Sequence, residues 1–216
     1  MGIIQGLDAI KSHIDKPKGS DGPKARWLKL EDGQSIKLRF VNEVDPDSKN
    51  YDTSRGLAIV VAEHTNPKDY RRKAVCSMEE EGRCHGCEMH RRDPKAGWKA
   101  RLRFYCNVLV DDGVEDPYVA IWSMGISKQS AFNTIREYAL ETGSISNTTW
   151  KVKRNGQGTE TTYTLIPSAP DSEPYDWGTV KPYPLESALR KIPYAEQEAF
   201  YLGFDTPSVT SANMDW

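Results

Sequence analysis

The sequence predicts a mainly β protein, a small antiparallel barrel with a metal-binding loop inserted into it and helices at its periphery. Three observations carry that reading. Short runs of alternating apolar and polar residues recur between turns rich in Gly, Asp and Asn. One longer alternating run, Trp98 to Val110, sits near the middle of the chain. Just ahead of it stands His64-x11-Cys76-x7-Cys84-x2-Cys87, four soft or borderline metal ligands within 24 residues.

The elements follow in order. Ile3, Ile4, Leu7 and Ile10 fall at helical spacing, which predicts a short amphipathic helix within an N-terminal arm, residues 1–26. Lys16 to Lys24 is broken by Pro and Gly and reads as a loop. Trp27 to Leu30, the turn Glu31-Asp-Gly33, and Gln34 to Val41 read as a hairpin. In its second arm Ile36, Leu38 and Phe40 share one face and Lys37 and Arg39 the other. Leu57 to Ala62 is nearly continuously apolar, as in a strand covered on both faces. Glu88 to Gly97 is a polar exit from the metal loop, with room for one helical turn. Asp111-Asp-Gly113 turns the long strand into another, Pro117 to Met124. Ser127 caps a helix through Glu141, with Phe132, Ile135 and Leu140 inward, and Gly143 ends it. Thr149 to Arg154 and Thr159 to Ile166 form a last hairpin around Asn155-Gly-Gln-Gly158.

The chain thus divides into the arm, a core over 27–166 with the metal insertion at about 64–97, a surface wrap and helix over 167–204, and a tail over 205–216, expected to be mobile. In the wrap, Leu185 to Tyr201 looks helical with a break at Pro193. Strands joined by hairpins, with one helix after about five of them, match the OB-fold, a five-stranded partly open barrel, and equally another small barrel or an α+β domain.

In the metal loop, Cys84 and Cys87 lie three residues apart on a turn relaxed by Gly86, so both thiolates can face one ion. Cys76 is the third ligand, since Cys106 lies on the apolar face of the long strand and reads as a small buried hydrophobe. His64, His85 and His90 compete for the fourth position. His85 points away from an ion shared by its neighbours. His90 is sterically possible, but His64 closes the site from a neighbouring strand and is favoured. Ser77 to Arg83 is too polar to bury free thiols in a core. Four protein ligands leave no open position, so a structural Zn²⁺ is expected rather than a catalytic one.

The net charge is −2, yet residues 1–110 hold 21 Lys and Arg against 16 Asp and Glu, and residues 111–216 hold 8 against 15. That asymmetry predicts a basic working surface and an acidic remainder. The long strand supplies part of it. Ala100, Leu102, Phe104, Cys106, Val108 and Val110 fall on one face, and Lys99, Arg101, Arg103, Tyr105 and Asn107 on the other. Successive cations followed by a ring suit a single-stranded nucleic acid, whose phosphates need charge and whose bases need a stacking surface. Plain edge protection against aggregation would produce the same cations.

No phosphate loop, H-E-x-x-H, G-x-S-x-G or zinc-deaminase signature is present, so a non-enzymatic protein is expected. Asp111, Asp112, Glu115 and Asp116 are the densest carboxylates, and they occupy a turn where Asp is common. No run approaches the roughly 18 apolar residues that cross a bilayer. The start lacks a basic n-region and a cleavable apolar h-region, which predicts a cytoplasmic protein.

The strand ending in His64, Cys76, the Cys84-x2-Cys87 knuckle and the strand Trp98 to Asp111 together resemble tailed-bacteriophage single-stranded DNA-binding proteins. Arg154-Asn-Gly-Gln-Gly to Tyr163 is similar to a hairpin of the same family, so the resemblance spans residues 27–166. It implies an OB-fold with an inserted zinc ribbon, His64 rather than His90 as the fourth ligand, and the cytoplasm of an infected host cell. The implied function is sequence-independent coating of ssDNA in replication, recombination or repair. Lys37, Arg39, Arg71, Arg72, Lys99, Arg101 and Arg103 would follow the phosphates, and Tyr105, Tyr51, Tyr70 and Trp122 would stack bases. Family members often end in a long acidic tail that contacts replication partners. Here only Asp205, Asp215 and Trp216 remain of that pattern for replication or recombination proteins to meet. The alternative is a zinc-ribbon interaction module of a replication or transcription complex, with no ssDNA binding of its own.

Overall fold

Alternation of apolar side chains over eleven residues makes β4, Arg101–Asp111, the longest strand of the computed structural model, which describes residues 25–127 and 130–204. Around it are β1 (Ser35–Phe40), β2 (Ile59–Asn66), β3 (Asp69–Val75), β5 (Tyr118–Gly125), β6 (Trp150–Asn155) and β7 (Thr162–Pro167). Among the described residues four α-helices accompany them: α1 (Met78–Glu81), α2 (His85–Arg92), α3 (Phe132–Thr142) and α4 (Tyr194–Leu202). The expected N-terminal helix and the tail lie outside the described residues.

The protein is mainly β, with all seven strands antiparallel in one sheet ordered β3-β2-β4-β1-β6-β7, and β5 paired to β4. No ladder among the described residues closes it, so the expected barrel appears as an open sheet. The edge of β5 is taken by Arg26 and Leu28, whose backbones exchange hydrogen bonds with Ile121. Trp27 to Leu30 therefore does not form a hairpin with β1. The turn at Gly33 instead docks its backbone on Arg154 of β6.

One face of the sheet carries the main core: Leu38 and Phe40, Phe104 to Val110 at alternate positions, Ala120 and Trp122, Trp150 and Val152, and Ile135 of α3. Cys106 is fully buried there, as its position on the strand predicts, and burial raises its thiol. Leu140, expected inward, is 74% exposed, because α3 turns only the side bearing Phe132, Ile135 and Ala139 to the core.

The opposite face departs most from expectation. Tyr183, the 3-10 turn Leu185–Ala188 and Leu189 cover it, packing on Tyr105, Ile121, Ile59 and Val61. Asn107 fixes this cover where β4 exchanges β2, paired over Arg101 to Tyr105, for β1, paired over Val108 to Asp111. At that fork the Asn107 backbone and side-chain N–H groups donate to Asn42 Oδ1 at 2.6 and 3.1 Å. Its amide group also exchanges two 2.9 Å hydrogen bonds with the backbone of Tyr183. A second anchor is Arg39, which donates to both carboxylate oxygens of Asp171 at 2.5 and 3.2 Å and lies 4.4 Å from the ring of Tyr175. Arg55 sits likewise against Trp177 at 4.5 Å.

Asn107→Ala is expected to cost about 2–4 kcal/mol of unfolding free energy, since the N–H and C=O of Tyr183 lose their partners together with the side-chain bond to Asn42. Chemical denaturation checks the magnitude. Faster proteolysis within 167–190 than in the parent protein would locate the loss in the wrap, whereas unchanged cleavage there would contradict this account of the fork.

Candidate metal centre and cationic surface

β2 and β3 pair so that His64 lies opposite Ala74, and Cys76 leaves the sheet immediately beyond Val75. The Cys76 amide still donates to the Ala62 carbonyl at 2.8 Å, which aims its side chain back beneath β2. Cys84, in extended backbone, is the N-cap of α2, and Cys87 sits in the first turn. The ligand atoms of His64, Cys76, Cys84 and Cys87 all fall within 4.8 Å of one another. Cys87 Sγ is 3.3 Å from His64 Nε2 and 3.6 Å from Cys76 Sγ.

His64 Nδ1 lies 2.6 Å from the Trp98 carbonyl oxygen. A carbonyl only accepts, so Nδ1 carries a proton and Nε2 faces the sulfurs, an outer contact typical of metal-ligating histidines. Burial opposes ionisation of Cys84, but its hydrogen bonds with His64 and with the amides of Cys87 and Ser77 bring the thiol down to about 6. Burial carries Cys87 up to about 12, with the neighbouring Cys76 and Cys84 acting in the same direction. Without a cation the cluster thus holds one thiolate comfortably and resists a second. A bound cation removes that conflict. Three sulfurs and one imidazole nitrogen could hold a metal ion with no position left open.

Gly86 has a sharper role than relaxing the turn. A Cβ there would lie 2.3 Å from His64 Cγ, so the knuckle packs directly on the imidazole. His85 points away from the cluster, as expected, and stacks with Tyr201 at 5.9 Å. His90 lies outside the four-residue group. No local pattern singles out Gln197, a 1% exposed residue of α4. It accepts from the His85 amide and donates to Ser77 Oγ and the Ile192 carbonyl, each at 2.8 Å, and so bolts both ends of the loop to the wrap. A small core of Ala74, Trp98, Ile192, Phe200 and Tyr201 lies alongside.

The residues expected to contact nucleic acid separate into two groups. Lys37, Tyr70, Arg71, Lys99 and Arg101 are exposed, Tyr51 and Arg72 are partly so, and Arg103 keeps 28% of its side chain accessible. Arg72 is tethered to the Gly203 carbonyl. Arg39, Tyr105 and Trp122 are corrections: they are 7%, 1% and 1% exposed and cannot meet a base or phosphate in this structure. Arg39 is held by Asp171, and Trp122 packs in the core between Phe40 and Tyr163. Tyr105 lies under the wrap and donates its hydroxyl to Glu63. The cover also divides the expected track, leaving Lys37 on one side and Arg101 on the other.

No protein-family model matches the chain, and neither does any curated protein or solved structure. No helix among the described residues is long and apolar enough to cross a membrane.

Two measurements check the metal centre. His64→Ala and Gly86→Ala are expected to lose most bound metal in elemental analysis, whereas His90→Ala keeps a full equivalent. Protons compete for the sulfurs, so acidification should release the ion, and losing the Cys84 ligand should raise the pH at which it leaves. Release at the same pH from a Cys84→Ala variant would break that link.

Proposed function

We propose that this is a non-enzymatic, sequence-independent ssDNA-binding protein, built on an OB-like sheet and carrying a structural Zn²⁺ in its ribbon-like insertion. It coats ssDNA during phage replication, recombination or repair. Zinc is the ion of choice because three thiolates and an imidazole in a closed set suit its tetrahedral preference. Held by His64, Cys76, Cys84 and Cys87, it supplies rigidity to a polar loop with little core of its own.

One observation carries the binding reading: cations and the ring of Tyr70 lie uncovered at the end of the sheet beside the metal loop. Tyr70 is 70% exposed and Arg71 has 90% of its side chain free, both on the β2–β3 hairpin. Lys99 and Arg101 border it on one face of the sheet, and on the other Leu102 and Val60 expose about half their surface. Cations to follow phosphates and flat or apolar surface to receive bases are what unspecific single-strand binding requires. Phosphate contact also steers association and makes it sensitive to salt.

Anisotropy of a labelled oligo-dT and of its duplex, at about 50 and 200 mM salt, tests the reading. Salt-sensitive binding to the single strand alone is expected. Lys99→Ala with Arg101→Ala should lower the salt slope by about 1.4, and Tyr70→Ala should cost about 1–3 kcal/mol. Tyr105→Phe should leave affinity unchanged. Absence of binding at low salt would favour the alternative, a zinc-ribbon module docking on protein, for which exposed Leu202 and Phe204 beside the metal loop provide apolar surface.

A further inference from the structure

The half of the sheet that the wrap leaves open carries a charge pattern of its own. Leu38, Val152 and Leu165 of β1, β6 and β7 belong to the main core, so Lys37, Lys151, Lys153 and Ile166 face the opposite way. All four are exposed, Ile166 by 55%. Register brings the lysines together. Lys37 stands directly across from Lys151, with about 5 Å between their Cβ atoms. Lys153 follows two residues along β6, about 7 Å away on the same face.

Two features of this row point to an anionic partner. Like charges placed directly opposite on a sheet repel, and among the described residues none of the three lysines makes a hydrogen bond or an ion pair. Asp111, across from Lys37 on β4, joins no ion pair either. Edge protection does not account for the lysines. The edge strand is β7, which carries no charge, and the lysines stand on the two strands inside it. One step further along both strands the row reaches Arg39 and Thr149, hydrogen-bonded to each other at 3.0 Å. There the ring of Tyr175 lies 4.4 Å from the Arg39 guanidinium, whose charge Asp171 already meets, and Tyr175 stays 38% exposed. Three free cations thus lead to a fixed ring.

We propose that Lys37, Lys151 and Lys153, with Tyr175 at their end, form a second contact surface for the backbone of a single-stranded nucleic acid, separated by the wrap from the surface beside the metal loop. Cations spaced along the strands follow successive phosphates, the ring receives a base, and Ile166 adds apolar surface. Glu173 and Asp176 flank Tyr175 in sequence, which directs phosphates to the lysines and leaves the ring to a base. The identity of the polymer rests on the ssDNA reading. The row shares no residue with the surface that carries that reading.

Lysine acetylation of the full, metal-loaded chain, read by mass spectrometry with and without oligo-dT of about 30 nucleotides, provides the test together with anisotropy of the same oligonucleotide. Bound oligo-dT should protect Lys37, Lys151 and Lys153 from the reagent. Lys37→Gln, Lys151→Gln and Lys153→Gln combined should lower the salt slope by about 2, ~0.7 for each lost phosphate contact, while weaker salt-sensitive binding persists through Lys99 and Arg101. The three side chains are exposed, so these substitutions disturb no packing, and the same three positions changed to Arg should keep the slope. Unprotected lysines and an unchanged slope, with oligo-dT still bound, overturn the second surface and leave the ssDNA reading in place. A parent protein that binds no oligo-dT overturns both. Protection by polyglutamate but not by oligo-dT also overturns the proposal and assigns the row to an acidic protein partner.

Discussion

Asn107 occupies the point on which the architecture turns. β4 changes partners there, and a buried strand cannot leave its polar groups unpaired at such a break. An asparagine amide meets the need because it donates and accepts in one plane. It closes the fork through Asn42 and, with the remainder of its capacity, captures the backbone of Tyr183. From that contact the chain continues through Leu185 and Leu189 over Tyr105, pairs briefly with Val75, and enters α4. Gln197 then grips the metal loop. A hydrogen-bond requirement in the sheet thereby sets the position of a segment that begins 76 residues away in sequence.

The metal loop depends on that segment as much as on its own ligands. Its helices are short, of four and eight residues, and neither would be stable alone in water. Order comes from two sides. The four converging side chains fix the interior, with His64 oriented by the Trp98 carbonyl. Phe200, Tyr201 and Ile192 then supply the apolar surface that a polar loop lacks. The two supports meet at His85, whose amide binds Gln197 and whose ring stacks on Tyr201, while its neighbours Cys84 and Cys87 face inward.

The arginines show how one residue type is divided between structure and surface. Arg39 and Arg55 are under 10% exposed and serve as anchors, taking carbonyls, a carboxylate and ring faces of the wrap. Such pairs hold because each charge has several partners, which offsets the cost of removing it from water. Arg71 and Arg101 have no such cover. Arg103 lies between the two states, with one end bound to Ser123 and Nε 3.6 Å from Glu63 Oε2.

Much of this was legible from local pattern. The spacing of His64, Cys76, Cys84 and Cys87 names the cluster, since ligand type and short separation are sequence properties. Alternation assigned Phe104, Cys106 and Val108 to one face of β4 and Tyr105 and Asn107 to the other, and the hairpin at Asn155 followed from its glycines. Alternation distinguishes two faces but does not say which of them meets water. Only the tertiary structure decided that Tyr105 and Arg39 are covered. Their cover is a segment without periodicity, rich in Pro, Asp and Tyr, attached through long-range hydrogen bonds that no local window contains. The open sheet, the pairing of Arg26 and Leu28 with β5, and the role of Gln197 belong to the same class. Each depends on which backbone groups remain unpaired once the strands have assembled, and that is a property of the whole sheet.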